Sequence, residues 1–224
     1  MNLVLLGPPG AGKGTQASLI KKKYEIPHIS TGDVFRDHIK GKTKLGKRLL
    51  SYIDDGELVP DSIVIAVAID RLEQDDCKDG FLLDGFPRTV EQAVALDSFL
   101  DIKNKKLDCV LNIYGDSDLL IDRLTSRRVC ENCKAVYNLK GLPPKVEGIC
   151  DVCGGKLVQR SDDNRGTVIN RISVYNNLTR PLLRYYEREG NIEHLNGGLG
   201  RDKLFKEIKD VLGELQNDNN QIKA

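Results

Sequence analysis

A three-layer α/β core around a parallel sheet is predicted by three observations along this 224-residue chain. Short apolar runs alternate with segments of helical spacing. The first run ends in a glycine-rich turn that opens a helix. Two stretches, one polar and one full of helix breakers, interrupt the alternation without ending it. Domains commonly run ~50 to 250 residues, so the length suits one core with insertions.

Residues 2 to 6 form the first apolar run, and residues 13 to 24 follow with Ala17, Ile20 and Tyr24 at helical spacing. An early strand is expected before residues 30 to 59, a polar helical excursion in which Leu45, Leu49 and Ile53 share a face. Apolar runs return at 81 to 83 and 107 to 113, with helices over Ile63 to Leu72, Val90 to Leu100 and Leu119 to Leu124. Residues 126 to 163 hold four cysteines, Pro143-Pro144 and Gly154-Gly155, too many breakers for a useful helix. Beyond Gly200 an amphipathic helix (Leu204, Ile208, Val211, Leu212, Leu215) is expected to fray at Asn217 to Gln221. The segments 1–29, 60–125 and 164–224 thus read as one core, with 30–59 and 126–163 as appendages.

Lys and Arg total 34 against 33 Asp and Glu, a net charge of +1, which argues against a dedicated nucleic-acid binder. A hydrophobic share of 40% and a charged share of 30% are those of a globular chain. The N-terminus carries no basic leader and no apolar run is long enough for a bilayer, so a cytoplasmic protein without membrane partners is expected.

Gly7-Pro-Pro-Gly-Ala-Gly-Lys-Gly-Thr15 contains G-x-x-x-x-G-K between a strand and a helix, the context of a phosphate-binding P-loop rather than a plain glycine turn. Backbone N–H groups of Gly10, Ala11, Gly12, Lys13, Gly14 and Thr15 would face phosphate, with Lys13 as the cation. Gly14 stands where P-loops usually carry Ser or Thr, which moves the hydroxyl to Thr15. Cys130-x-x-Cys133 and Cys150-x-x-Cys153 have the spacing of a four-thiolate zinc site, closed and therefore structural; iron suits the same donors. A nucleic-acid-gripping zinc ribbon and a redox pair are the rival readings. Lys134 to Ile149 carry few basic or aromatic residues, and two pairs at this spacing are hard to explain by disulfide exchange. Cys77 and Cys109 read as structural.

The Gly-Lys-Gly-Thr variant resembles the nucleoside monophosphate kinases. Further segments in the same order resemble the adenylate kinase family: Ile29-Ser-Thr-Gly-Asp33 with Arg36, Gly80-Phe-Leu-Leu-Asp-Gly-Phe-Pro-Arg88 with Gln92, Arg127-Arg128-Val129, Arg160-Ser-Asp-Asp163, and Arg171. They span almost the whole chain, and 126–163 resembles the long lid of bacterial-type members, in the variant with four cysteines. The resemblance implies magnesium-dependent phosphoryl transfer from ATP to AMP giving two ADP. It implies an AMP-binding region at 30–59, a zinc-stabilised lid, and a monomer.

Site residues follow from the same resemblance. Arg36 and Arg88 would hold the AMP phosphate, Lys13 and Arg127 the ATP phosphates, and Arg123, Arg160 and Arg171 the group in transit. Arg160 and Arg171 also belong to the AMP set. Thr31, Glu57, Leu58, Val59, Gly85, Phe86, Pro87 and Gln92 would surround AMP, while Val136, Tyr137 and Leu199 would meet ATP. Asp84 would order water around magnesium. Taken singly, each arginine reads as a surface ion pair, Asp84 as a cap and Gln92 as a solvated glutamine; the ordered set carries the functional reading. None of His28, His38 and His194 falls in these motifs, which fits an acceptor phosphate that needs no base, its second pKa being near ~6. A kinase of UMP or CMP is the near alternative, and a zinc-ribbon nucleic-acid-binding P-loop protein the distant one.

Overall fold

A computed structural model describes residues 1–222. The chain order is β1 (Asn2–Leu6), α1 (Lys13–Tyr24), β2 (His28–Ser30), α2 (Thr31–Lys40), α3 (Lys44–Asp55), α4 (Asp61–Leu72), β3 (Phe81–Asp84), α5 (Val90–Ile102), β4 (Cys109–Tyr114), α6 (Ser117–Thr125), β5 (Arg127–Cys130), β6 (Val136–Asn138), β7 (Leu157–Val158), α7 (Arg165–Val174), α8 (Pro181–Glu189), β8 (Ile192–Asn196) and α9 (Arg201–Ile222). Five strands form a parallel sheet in the order β2-β3-β1-β4-β8.

Period-two alternation divides the strand side chains between the two faces. Val4, Leu6, Leu83 and Val110 pack with α4, α5 and α8 through Val64, Ala68, Leu96, Leu100, Leu182 and Tyr186. Leu3, Leu5, Leu82 and Leu111 pack on the other face with α1, α6, α7 and α9 through Ala17, Ile20, Leu124, Val168, Leu204 and Ile208. Burial on both faces is why these strands read as continuous apolar runs.

The edge strand β8 departs from that pattern and is not apparent in the sequence. It pairs only with β4 and exposes Glu193, His194 and Asn196, the polar edge that discourages further strand addition. Helices α7 and α8, joined by a π-helical turn at Tyr175–Thr179, also went unforeseen. At the C-terminus the expected fray is corrected: the backbone stays helical through Ile222. No helix among the described residues is long and apolar enough to cross a membrane.

The breaker-rich stretch contains no α-helix. It folds as an antiparallel sheet in the order β6-β5-β7, with a core of Cys130, Tyr137, Cys150 and Leu157. Lys134 Nζ donates to Asp37 Oδ1 at 2.7 Å and Ser161 Oγ to Asp54 Oδ1 at 2.9 Å, so this region lies against α2 and α3.

Candidate active site

The register Ser30↔Asp84, Leu5↔Asp84 and Leu6↔Asn112 brings the carboxyl ends of β1 to β4 to one edge of the sheet, where open α/β sheets bind ligands. From β1 the chain turns through Gly7 to Gly12 into α1. Gly10 sits at φ +85°, and a Cβ there would lie 2.7 Å from the Leu120 carbonyl oxygen, so only glycine fits. Helices α2, α3, α5, α6 and α7 each have a side-chain oxygen at the N-cap. Helix α1 is capped by Gly12 and has no acidic residue in its first turn. Its leading N–H groups and positive dipole end are thus left for an anion.

Lys13 folds back over this turn and donates to the carbonyls of Gly7 (2.7 Å) and Pro8 (2.9 Å). Burial lowers its pKa to about 8; Asp84 opposes that shift, and Arg88, Arg171 and Arg127 add to it. Asp84 ends β3 beside the start of α1, its Oδ2 3.8 Å from where a Gly14 Cβ would lie. Burial pushes its carboxyl up, but the His28 hydrogen bond and the Lys13 charge hold it below its ordinary value. His28 Nε2 stands 3.6 Å from Asp84 Oδ2. An ionised carboxylate facing the glycine-rich loop beside Gly14 suits water-mediated magnesium.

The arginines converge on the same edge from different elements. Arg36 on α2 donates to Asp33 at 2.6 Å, and Arg160 approaches the same carboxylate at 3.5 Å. Arg127 on β5 forks onto Asp163 at 2.8 and 2.5 Å. Arg171 on α7 reaches Asp162 Oδ2 at 2.9 Å and Asp163 at 3.2 Å. Arg123 donates to Gly197 O at 2.9 Å, and Gly197 in turn abuts the Ala11 carbonyl. Arg88 differs: its Nε donates to Gly85 O at 2.9 Å, and among the described residues no carboxylate lies within ion-pair distance. Burial, reinforced by Arg171, lowers its pKa to about 10, and burial with Arg36 and Arg127 does the same for Arg160. Six cations, Lys13, Arg36, Arg88, Arg127, Arg160 and Arg171, here face the carboxylates of Asp33, Asp84, Asp162 and Asp163, leaving a positive surplus in a partly dry cleft.

Beside them opens a cleft lined by Thr31, Arg36, Glu57, Leu58, Val59, Gly85, Arg88, Gln92 and Arg171 of the expected residues. Phe35, Ile53 and Val64 add apolar wall beyond the expected residues. Thr31 Oγ1 donates to Gly85 O at 2.8 Å. Gln92 Oε1 accepts from Arg88 N at 2.8 Å and its Nε2 donates to Asp61 at 2.7 Å, so its orientation is fixed while one N–H and one lone pair stay uncommitted. Phe86 is buried in the core, and neither it, Pro87 nor Arg160 lines the pocket.

The remaining expected residues divide. Leu199, exposed, follows Gly197 at the P-loop rim. Val136 is exposed on β6, whereas the Tyr137 ring is buried and its hydroxyl lies 3.4 Å from Cys150 Sγ. The four cysteine sulfurs lie within 4.8 Å of one another, with Cys130 to Cys153 and Cys133 to Cys150 at 3.5 Å. Zn–S bonds of ~2.3 Å in a tetrahedron place sulfurs about 3.8 Å apart, so the donors fit a metal. Two turns build the cluster, Cys130 to Lys134 and Cys150 to Gly154. Each closes by an N–H to the first cysteine's carbonyl, at 3.1 and 2.9 Å, with Lys134 and Gly154 at positive φ. The Tyr137 hydrogen bond holds the Cys150 thiol down at about 6.

Asp33, Asp162 and Asp163 orient the cationic set and His28 approaches Asp84, and none of the four has a role legible from the motifs alone. The adjacent acids after Arg160 were the visible signal, since a fully buried Asp163 needs cationic partners.

Comparison with known proteins agrees with this geometry. A family model described as "Adenylate kinase" matches residues 5–191. An adenylate kinase of Clostridium tetani is 54% identical over 215 residues, covering 96% of this chain and 100% of that protein. One from Geobacillus sp. (strain WCH70) is 53% identical with the same coverage, and one from Thermoanaerobacter sp. (strain X514) is 51% identical over 96% of this chain and 99% of that protein.

Proposed function

The chain belongs to the adenylate kinase family, whose members are ATP:AMP phosphotransferases, and from that premise we propose that it transfers a phosphoryl group from ATP to AMP, giving two ADP, by in-line displacement without a general base. The observation that carries this reading is Arg88, a guanidinium with no carboxylate within ion-pair distance among the described residues, which lines the cleft and lies close enough to depress the pKa of Lys13. It stands between that cleft and the glycine-rich loop, where two phosphate groups would meet.

In this reading the AMP ring enters between Thr31, Leu58, Val59 and Gln92, and its phosphate meets Arg36 and Arg88. The loop from Gly10 to Thr15, with Lys13 and Arg127, takes the ATP phosphates, and Arg123, Arg160 and Arg171 follow the group in transit. Asp33, Asp162 and Asp163 hold the guanidiniums until phosphate oxygens replace them. Guanidiniums suit the task because they fork onto phosphate and keep their charge. Catalysis is then positioning plus electrostatic stabilisation. Magnesium, when bound beside Asp84, neutralises donor phosphate charge. Residues 30–59 act as the AMP-binding region and 126–163 as a lid stapled by zinc, and the enzyme works as a cytoplasmic monomer.

AMP should be the preferred acceptor in a panel of monophosphates assayed with ATP; equal or faster turnover with UMP, CMP or GMP would sink the reading. A pH series tests Lys13. Its depressed pKa means the cation is present below about 8 and lost above it. Affinity of the free enzyme for ATP should therefore weaken above about pH 8, by up to about tenfold per unit. Calorimetric titrations that stay flat to about pH 9 would show that Lys13 does not titrate there.

A further inference from the structure

We propose that Tyr137 is a positioning residue for the four-cysteine metal centre, its phenol acting as the hydrogen-bonded outer partner that sets metal affinity. This rests on the reading of the four cysteines as a metal site. The phenol oxygen has two neighbours: the Asp151 N–H donates to it at 2.8 Å, and Cys150 Sγ lies 3.4 Å away. A metal-bound thiolate carries no proton, so Tyr137 must donate to sulfur. The Asp151 N–H occupies a lone pair of the oxygen and leaves the phenolic proton for Cys150.

Both ends of this side chain are anchored. Its backbone lies on β6 opposite Arg128, and the next residue, Asn138, donates from Nδ2 to the Arg123 carbonyl at 3.0 Å. At the far end Asp151 accepts from Lys145 N at 3.0 Å, bracing the turn that carries Cys150 and Cys153. Tyr137 is the largest of the four buried residues in this small core, so it ties the second cysteine turn to the strand pair bearing Arg127. A buried phenol needs a partner, and the sulfur supplies it. The ring is therefore committed to the metal centre, and any nucleotide contact at this position falls to the main chain.

Outer-shell partners of metal ligands change affinity by about 10- to 100-fold when removed. Tyr137→Phe in the full chain should raise the zinc Kd by that factor in competition with a chromogenic chelator. In the cobalt-substituted protein the thiolate-to-metal charge-transfer band should move to lower energy, because a thiolate without its hydrogen bond gives up electron density more readily. Tyr137→Leu serves as a packing control. Zinc affinity kept within about twofold by Phe, with an unmoved cobalt band, would overturn the inference even if Leu weakens binding, since packing alone would then explain the residue. A rise in KM for ATP at unchanged zinc affinity would overturn it likewise. Wild-type protein that binds no metal would overturn the metal reading itself, an outcome distinct from these.

Discussion

Replacing Arg88 with alanine is expected to lower kcat/KM for AMP about a thousandfold while leaving the ligand-free protein as stable as before, or more so. The kinetic half follows from position. Removing one preorganised donor from a developing charge costs ~10²- to 10³-fold, and misplacement of the acceptor adds to that. The stability half follows from the lack of compensation. Arg88 donates to one carbonyl, has no carboxylate within ion-pair distance among the described residues, and holds its proton less tightly than a solvated arginine because of burial and Arg171. A cation in that state works against the empty fold.

Alanine should therefore abolish most of the thermal protection that saturating AMP confers, ~2.7 kcal/mol at a hundredfold excess over Kd, without lowering the melting temperature of the empty protein. Arg88→Lys should recover little, because a single ammonium cannot fork onto phosphate. Near-normal kinetics in the alanine variant would show that Arg88 takes no part in binding or transfer. Collapse of the ligand-free fold would show that it is structural.

What the sequence made legible was whatever rests on short-range pattern. Gly7 to Thr15 specify strand, turn and helix within a few residues, and the cysteine pairs fix two turns whose closure needs nothing distant. The sheet core was legible because Leu3 to Leu6 and Phe81 to Leu83 are apolar on both faces. Strand β8 was not, since an edge strand can carry Glu193 and His194 outward and needs only Leu195 buried. The carboxylates that hold the arginines were hidden for another reason. Asp163 meets Arg127 from 36 residues away, a pairing set by tertiary packing alone. Tyr137 shows the limit most sharply: its place in the chain suits a nucleotide contact, and only packing reveals that the ring turns toward Cys150.

Removing the metal, by chelation or by Cys150→Ser, is expected to lower the temperature at which activity is lost while sparing much of the rate at low temperature. Size decides the first part. A region of about forty residues cannot bury enough apolar surface to hold itself, and its core here is four residues, two of them cysteines. Taken as equal to a structural disulfide, about 3 kcal/mol, such a staple moves the midpoint of a chain of this length by roughly 6–12 °C. Coordination decides the second part, because four thiolates leave no open position for substrate or water. At low temperature the region keeps other anchors, among them the Arg127 fork onto Asp163 and the β5–β6 ladder, so the cationic set should persist without metal. Elemental analysis must accompany the melt, since iron accepts the same tetrahedral donors. An unchanged inactivation temperature in metal-free protein would refute the staple, and full loss of turnover in a metal-free protein with an intact circular dichroism spectrum would assign the metal a role beyond structure.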